Sequence, residues 1–357
     1  MSHFIHFGCW NNLDKGCLKN VMNLLNNRLE DINKPNIDFL TVAGDNYYTI
    51  KELYNGKKKK IIIPEQMNLG FDYLPKDIDI YMILGNHDLE TNTGQHNFFI
   101  NNLENPVLEN DCKVIEYENI AVGYNINIDY QLSHEKMLKN GTLVLMIDTS
   151  MYESIAELFL PCYRSFLKND SITIEILQAQ QLEFIKETIK KYNGDIKNLI
   201  IIGHHPIIGL KLKKDKSKTV QDIINFDHVL KVIYELLQNN VNYFYLCADV
   251  HLYQSGSISL KIDEESNMNI QQYIVGTGGT NLDKCPILNE IENERLTYTM
   301  SECKETCGFL ECITNKDIPS FIFNEVVFEG GKKKRIRKTK KNNKKIRNKI
   351  SIKRKYK

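Results

Sequence analysis

The chain has 357 residues, 42% of them hydrophobic, which is enough apolar material for one large core or two ordinary ones and excludes general disorder. Its formal net charge of +1 hides a division: residues 331–357 carry 16 Lys and Arg and no acid, leaving 30 basic against 45 acidic residues before them. No apolar run approaches a membrane span and no cleavable leader pattern opens the sequence, so neither a membrane-spanning nor a secreted protein is expected.

The first segment, "MSHFIHFGCWNN", alternates apolar and polar residues over Phe4–Phe7 and predicts a strand that delivers Cys9 to its C-terminal end. In sheets flanked by helices, ligands collect at such ends, and position alone leaves Cys9 as core residue, reactive thiol or metal ligand. "CLKNVMNLLNNRLEDI" then repeats apolar residues at helical spacing. The strands "IDFLTVAG" and "IDIYMILG" come next, separated by "YNGKKKKIIIPEQ", which reads as an exposed loop into a short edge strand. "GTLVLMID" is the third of these strands. It ends at Asp148, given a structural role, with Thr149 and Ser150 capping the segment after it.

The helix "ILQAQQLEFIKETIKKY", the strand "KNLIIIGHH", the helix "DHVLKVIYELLQNN" and the strand "VNYFYLCAD" complete an alternation that argues an α/β architecture with buried strands. A late all-β run, "SGSISLKI", "NIQQYIVGTGGT" and "SFIFNEVVFEG", reads as hairpin strands completing a sheet, with "VGTGGT" a tight turn. Without an internal repeat or a linker before Gly330, the expected organisation is one domain over 1–330 and a disordered Lys/Arg-rich tail over 331–357. Such a tail either solubilises or folds back on the acidic body, or it serves as an arm for nucleic acid, an anionic membrane surface or nuclear import.

Nine cysteines, an odd number scattered through strand-like and helical segments, read as mainly reduced thiols of an intracellular compartment, cytoplasm or nucleus. Cys285, Cys303, Cys307 and Cys312 leave a four-thiolate zinc site as a minor reading. Richness in Ile, Asn, Lys and Tyr, with the basic tail, is similar in composition to proteins of large DNA viruses, and it would allow a virus factory or virion location.

Four strand ends carry metal-type ligands: "VAGDNYY", "ILGNHDLE", "IIGHHPII" and "LCADVHLYQ". A lone Asp or His after a strand is ordinarily a cap or a hydrogen-bonded core group, but four such clusters at successive strand ends exceed chance. Carboxylate, amide and imidazole donors suit Mn, Fe, Zn or Mg-like ions, and one Asp bridging two of them would make a paired site.

"GDNYY", "GNHD", "GHHP" and Asp-Val-His resemble the calcineurin-like metallophosphoesterases, nearest the purple acid phosphatase branch, over roughly residues 4 to 280. The resemblance implies two mixed β-sheets packed as a sandwich flanked by helices, with two divalent or trivalent transition-metal ions (Fe, Mn or Zn) at the strand ends. It implies Asp45 as bridging carboxylate, Asn86 and His204 on the second metal, and Tyr48 and His251 on the first. His87 would stand over the phosphate as cation or general acid, with Asp88 orienting it. His205 would line the phosphate pocket, or else be a turn histidine stacked on Pro206.

Two positions depart from the family pattern. Cys9 stands where a metal-binding aspartate is usual, with Asn11 where Gly or His would come next, and Asp249 replaces the first histidine of Gly-His-x-His. Either Cys9 and Asp249 still ligate, or a small buried Cys fills the space of a weakened site. The implied activity is hydrolysis of a phosphorylated substrate by a metal-activated water. The other reading is a weak or inactive relative that binds nucleic acid or another anionic partner through its tail.

Overall fold

The central strands lie where apolar residues, many of them β-branched or aromatic, are concentrated. β1 (His3–Phe7), β2 (Phe39–Ala43), β8 (Thr142–Ile147) and β9 (Asn198–Ile202) are buried along their whole length, as parallel strands covered on both faces must be. The computed structural model describes residues 2–12, 16–48, 50–54, 57–61, 69–89, 126–127, 133–212, 219–222, 225–314 and 317–327. Between β1 and β2 lies α1 (Leu18–Glu30), and between β2 and β8 come β3 (Ile50–Tyr54), β4 (Lys57–Ile61), β5 (Asp79–Ile83), β6 (Ile126–Asn127) and β7 (Ser133–Met137). Between β8 and β9 lie α2 (Leu160–Leu167) and α3 (Ile174–Lys191), and β9 leads into β10 (Gly209–Leu212), β11 (Thr219–Asp222), α4 (Asp227–Leu237) and β12 (Asn242–Cys247). The chain continues through β13 (Tyr253–Lys261), β14 (Asn267–Val275), β15 (Glu290–Glu292), β16 (Leu296–Lys304), β17 (Gly308–Ile313) and β18 (Ser320–Glu325).

Two mixed sheets carry the fold. One has the order β18-β17-β1-β2-β5-β6 and the other β15-β16-β13-β14-β12-β9-β8-β7. In the first, β1, β2, β5 and β6 run parallel while β17 and β18 close one edge antiparallel. In the second, β8, β9, β12 and β14 run parallel, with antiparallel strands at both flanks. The sheets face each other: His6 on β1 reaches the Cys247 carbonyl on β12, and Phe321 on β18 packs on Phe244 and Tyr273. The helix α3 starts at Thr173, whose hydroxyl accepts the Ile176 amide, and buries Leu177, Gln181, Ile185 and Ile189. Residues Met1–Val326 form one compact unit. The basic 331–357 stretch lies outside the described residues. Among the described residues, no helix is long and apolar enough to cross a membrane.

Three expectations change. The lysines of "YNGKKKKIIIPEQ" are strand rather than loop, because Lys57–Ile61 pairs antiparallel with Ile50–Tyr54. The late strands complete both sheets instead of one: β13 to β16 extend the larger, while β17 and β18 cross to lie beside β1. The cysteines are not mainly reduced. Cys17 pairs with Cys307 and Cys285 with Cys303, Cys162 is also disulfide-bonded, and Cys9, Cys247 and Cys312 are free and buried. These pairings exclude the four-thiolate zinc site and remove the cysteine argument for an intracellular location. The Cys17–Cys307 bridge joins residues 290 apart, a proximity that only the crossing of β17 creates.

His6 gives a test of the inter-sheet packing. Burial between Thr41 and the Cys247 carbonyl pushes its imidazole down to about 3, so the folded state keeps it neutral while the unfolded chain protonates it from about pH 6.5 downward. Stability is therefore lost as pH falls through this window, by on the order of 4 kcal/mol at pH 3. Denaturant melts at stepped pH should show a shallower acid slope in His6→Gln than in wild type; parallel slopes would contradict this packing.

Candidate metal centre

All ten residues singled out from the sequence meet where parallel strands end. Cys9 lies just past β1, Asp45 and Tyr48 past β2, Asn86, His87 and Asp88 past β5, His204 and His205 past β9, and Asp249 and His251 past β12. Three of these, Cys9, Asp45 and Asp249, hold left-handed backbone at φ 52°, 54° and 48°. For a residue with a Cβ that conformation costs on the order of 1 kcal/mol, which is retained where the side chain itself is needed. Crowding adds a second constraint: a Cβ on Gly85 would lie 2.5 Å from both the Asp45 amide nitrogen and its Oδ1, so only glycine admits this carboxylate.

Asp45 is fully buried, and its two oxygens face different donors. Oδ2 accepts the Tyr48 hydroxyl at 2.7 Å and lies 3.7 Å from Cys9 Sγ, while the same hydroxyl meets His251 Nε2 at 3.1 Å. Oδ1 accepts the His87 amide at 3.1 Å and lies 3.3 Å from His204 Nε2. That imidazole nitrogen is in turn 3.3 Å from Asn86 Oδ1 and 3.8 Å from Asp249 Oδ1. The other ring nitrogen of His204 meets the Ala43 carbonyl at 2.6 Å, which places a proton on Nδ1 and turns Nε2 toward the cluster. Cys9, Asp45 and His204 offer ligand atoms within 4.8 Å of one another, and so do His204, His205 and Asp249. Tyr48, Asn86, His87, Asp249 and His251 are half-buried and form the rim.

The electrostatics favour a cation here. Burial, together with the Asp45 and Asp249 carboxylates, raises the Cys9 thiol well above its ordinary range. Burial and Asp45 do the same to the Tyr48 phenol. Burial opposes ionisation of Asp45 as well, but His204, His87, the Tyr48 hydroxyl and His251 outweigh it and hold the carboxyl below its usual range. Burial also lowers His251, against the pull of the Asp45, Asp283 and Asp249 carboxylates. A buried carboxylate, a thiol and a phenol held in their protonated forms, and imidazole nitrogens form a set that a metal ion converts to thiolate, phenolate and ligating nitrogen.

The partners of the braces were not disclosed by the sequence. Asp88, expected to orient His87, accepts the Asn46 amide on one oxygen and the Asn46 side chain and the Gly85 amide on the other, and Asn46 also accepts from the Trp10 indole, tying three strand ends together. Thr149, expected only as a cap, accepts the backbone amides of both His204 and His205 at 3.0 Å and meets His205 Nδ1 at the same distance. On the far side of that ring, Nε2 lies 2.5 Å from Glu153 Oε1, off the direction of an aligned hydrogen bond. Burial disfavours the charged ring, but Glu153 outweighs it and lifts His205 to about 9. Glu153 sits directly after the short 3-10 turn Ser150–Tyr152, and no spacing rule links it to His205.

Parallel strands that converge on one shared carboxylate, imidazoles and a phenol define the scaffold of a metal-dependent phosphoesterase. The sequence profile of the calcineurin-like phosphoesterases matches residues 2–253, and the chain belongs to that family. Its fold is similar to a structure titled "GAP50 the anchor in the inner membrane complex of Plasmodium" (14% identity, TM-score 0.51, covering 92% of this chain and 87% of that one). It is also similar to the purple acid phosphatase PPD1 of yellow lupin (14% identity, TM-score 0.53, 91% of this chain) and to PhoD (12% identity, TM-score 0.51, 91% and 71%). The chain spans about half, 51%, of the lupin enzyme's length. No curated protein sequence matches it significantly. The purple acid phosphatase-like fold expected from "GDNYY" and "GNHD" is thus borne out.

Proposed function

We propose that the protein hydrolyses phosphate esters at a two-metal centre shared across Asp45, and that Cys9 and Asp249 serve in it as ligands. The observation that carries this is the division of partners between the two oxygens of one buried carboxylate: Tyr48 and Cys9 meet Oδ2, with His251 behind the Tyr48 hydroxyl, and His204 meets Oδ1, with Asn86 and Asp249 around its Nε2. Thiol, phenol and imidazole suit Zn or Fe, whereas carboxylate, amide oxygen and imidazole suit Mn, Zn or Fe. When bound, the ions supply the charge that acidifies an attacking water and offsets the phosphoryl group. The protein's own part is to orient and to move a proton. The His204 ring is oriented by its Nδ1 hydrogen bond to the Ala43 carbonyl, and in this reading the half-buried His87, beside the Tyr48 ring at 4.9 Å, protonates the leaving oxygen. The substrate is a phosphorylated molecule. Elemental analysis should find about two transition-metal ions per chain, with hydrolysis of an aryl phosphate. Metal-free protein that stays inert with Mn, Fe and Zn would sink the proposal.

A second reading is favoured by the two replaced ligand positions and by the likeness to a structure described as an anchor. In it the domain binds rather than turns over, attached to nucleic acid or another anionic partner by residues 331–357. Deleting those residues should abolish a salt-sensitive association with DNA or RNA; an unchanged binding curve would count against it.

A further inference from the structure

The loop joining β14 to β15, residues 276–289, lies against the Cys9 and His251 half of the site along two arms. The first runs beside the end of β1: the Gly278 amide donates to the Gly8 carbonyl and the Thr280 amide to the Cys9 carbonyl, each at 3.1 Å. A Cβ on Gly279 would sit 2.2 Å from the Trp10 carbonyl, so this approach requires glycine. The second arm closes on His251. Asp283 Oδ2 accepts the His251 amide at 3.2 Å, and the Asp283 amide donates to the His251 carbonyl at 2.8 Å. A single residue thus holds both backbone groups of a histidine whose Nε2 faces Tyr48.

Each arm is fastened by a disulfide. Cys17, whose amide donates to Gly279, is joined to Cys307 and buried at 7% and 4% exposure. Directly after Asp283, Lys284 pairs with Glu305, the Cys285 amide donates to the same carboxylate at 3.0 Å, and Cys285 is joined to Cys303 on β16. Cys285 and Cys303 are half-buried, so a reductant reaches this bridge before the buried one.

We propose that Asp283 is a positioning residue for His251, and that the Cys285–Cys303 disulfide holds it in place, making this half of the site redox-sensitive. The proposal rests on the two-metal reading, in which His251 ligates metal. A dithiol reductant supplies two electrons and two protons, becoming a disulfide itself, and leaves Cys285 and Cys303 as thiols. The loop keeps its polar contacts with Glu305 and with the Leu212 amide but regains backbone freedom at Cys285, so the two hydrogen bonds to His251 lose their covalent anchor.

Cobalt(II) titration of the full-length oxidised protein, read by visible absorption and stoichiometry, tests this. Wild type should take up two ions. The Cys285→Ser/Cys303→Ser variant, wild type after mild dithiol treatment, and Asp283→Ala should each bind one ion about 10- to 100-fold more weakly with the other unchanged. Asp283→Asn, which keeps an oxygen acceptor for the His251 amide, should largely restore affinity. Equal weakening of both sites would mark the loop as merely structural, and wild-type affinity throughout would overturn the proposal while leaving the two-metal reading intact. No uptake by wild type would instead refute the two-metal reading.

Discussion

Asp45→Asn is expected to empty both halves of the site at once. The substitution keeps the size of the side chain, its left-handed backbone and an oxygen able to accept one hydrogen bond, so the fold should survive with a thermal midpoint near that of wild type. It removes the negative charge that the Tyr48 hydroxyl meets at Oδ2 and the His204 ring at Oδ1. Because Oδ1 and Oδ2 serve different donor groups, neither half retains its full ligand set. Metal content should fall from about two ions to below one, and hydrolysis of an aryl phosphate by at least about a thousandfold, the scale of losing a group that stabilises developing charge. A variant that still held one ion tightly and kept a tenth of the activity would show that Asp45 belongs to one half only.

Much of this centre was legible because motif residues occupy strand ends, and strands written in Ile, Leu, Val and Phe stand out from their surroundings. "KNLIIIGHH" needs no partner to be read as a buried strand that stops at two histidines. The braces were not legible, because they depend on which strand lies beside which. Thr149 reaches His204 and His205 across 55 and 56 residues, and Asp283 reaches back 32 to His251. The sequence around each is an ordinary turn. The same holds for the disulfides: Cys17 meets Cys307 only because β17 returns to pair with β1. The lysines of β4 misled for another reason, since a cross-strand partner in Ile50–Tyr54 overrides the poor strand preference of Lys.

Cys9→Ser should weaken the Tyr48 and His251 half by at least about a hundredfold while sparing the His204 half. A cysteine that merely filled space would gain nothing from left-handed backbone, where glycine is unstrained, yet Cys9 adopts φ 52° as Asp45 and Asp249 do. Its thiol is also directed at Asp45 Oδ2, with burial and two carboxylates resisting its ionisation. Binding a cation must therefore drive a proton off the sulfur, and off Tyr48 by the same logic. Calorimetry in buffers of different protonation enthalpy should register about two protons released on filling this half in wild type, and about one in Cys9→Ser. Cobalt(II) protein should show a near-ultraviolet sulfur-to-metal charge-transfer band that Cys9→Ser and Cys9→Asp both lose. Cys9→Asp supplies the carboxylate usual at this place, so it should bind metal without the band. If it gains both metal and activity over a wild type that has little of either, the thiol is a defect that silences the enzyme, and the ligand role given to Cys9 is wrong.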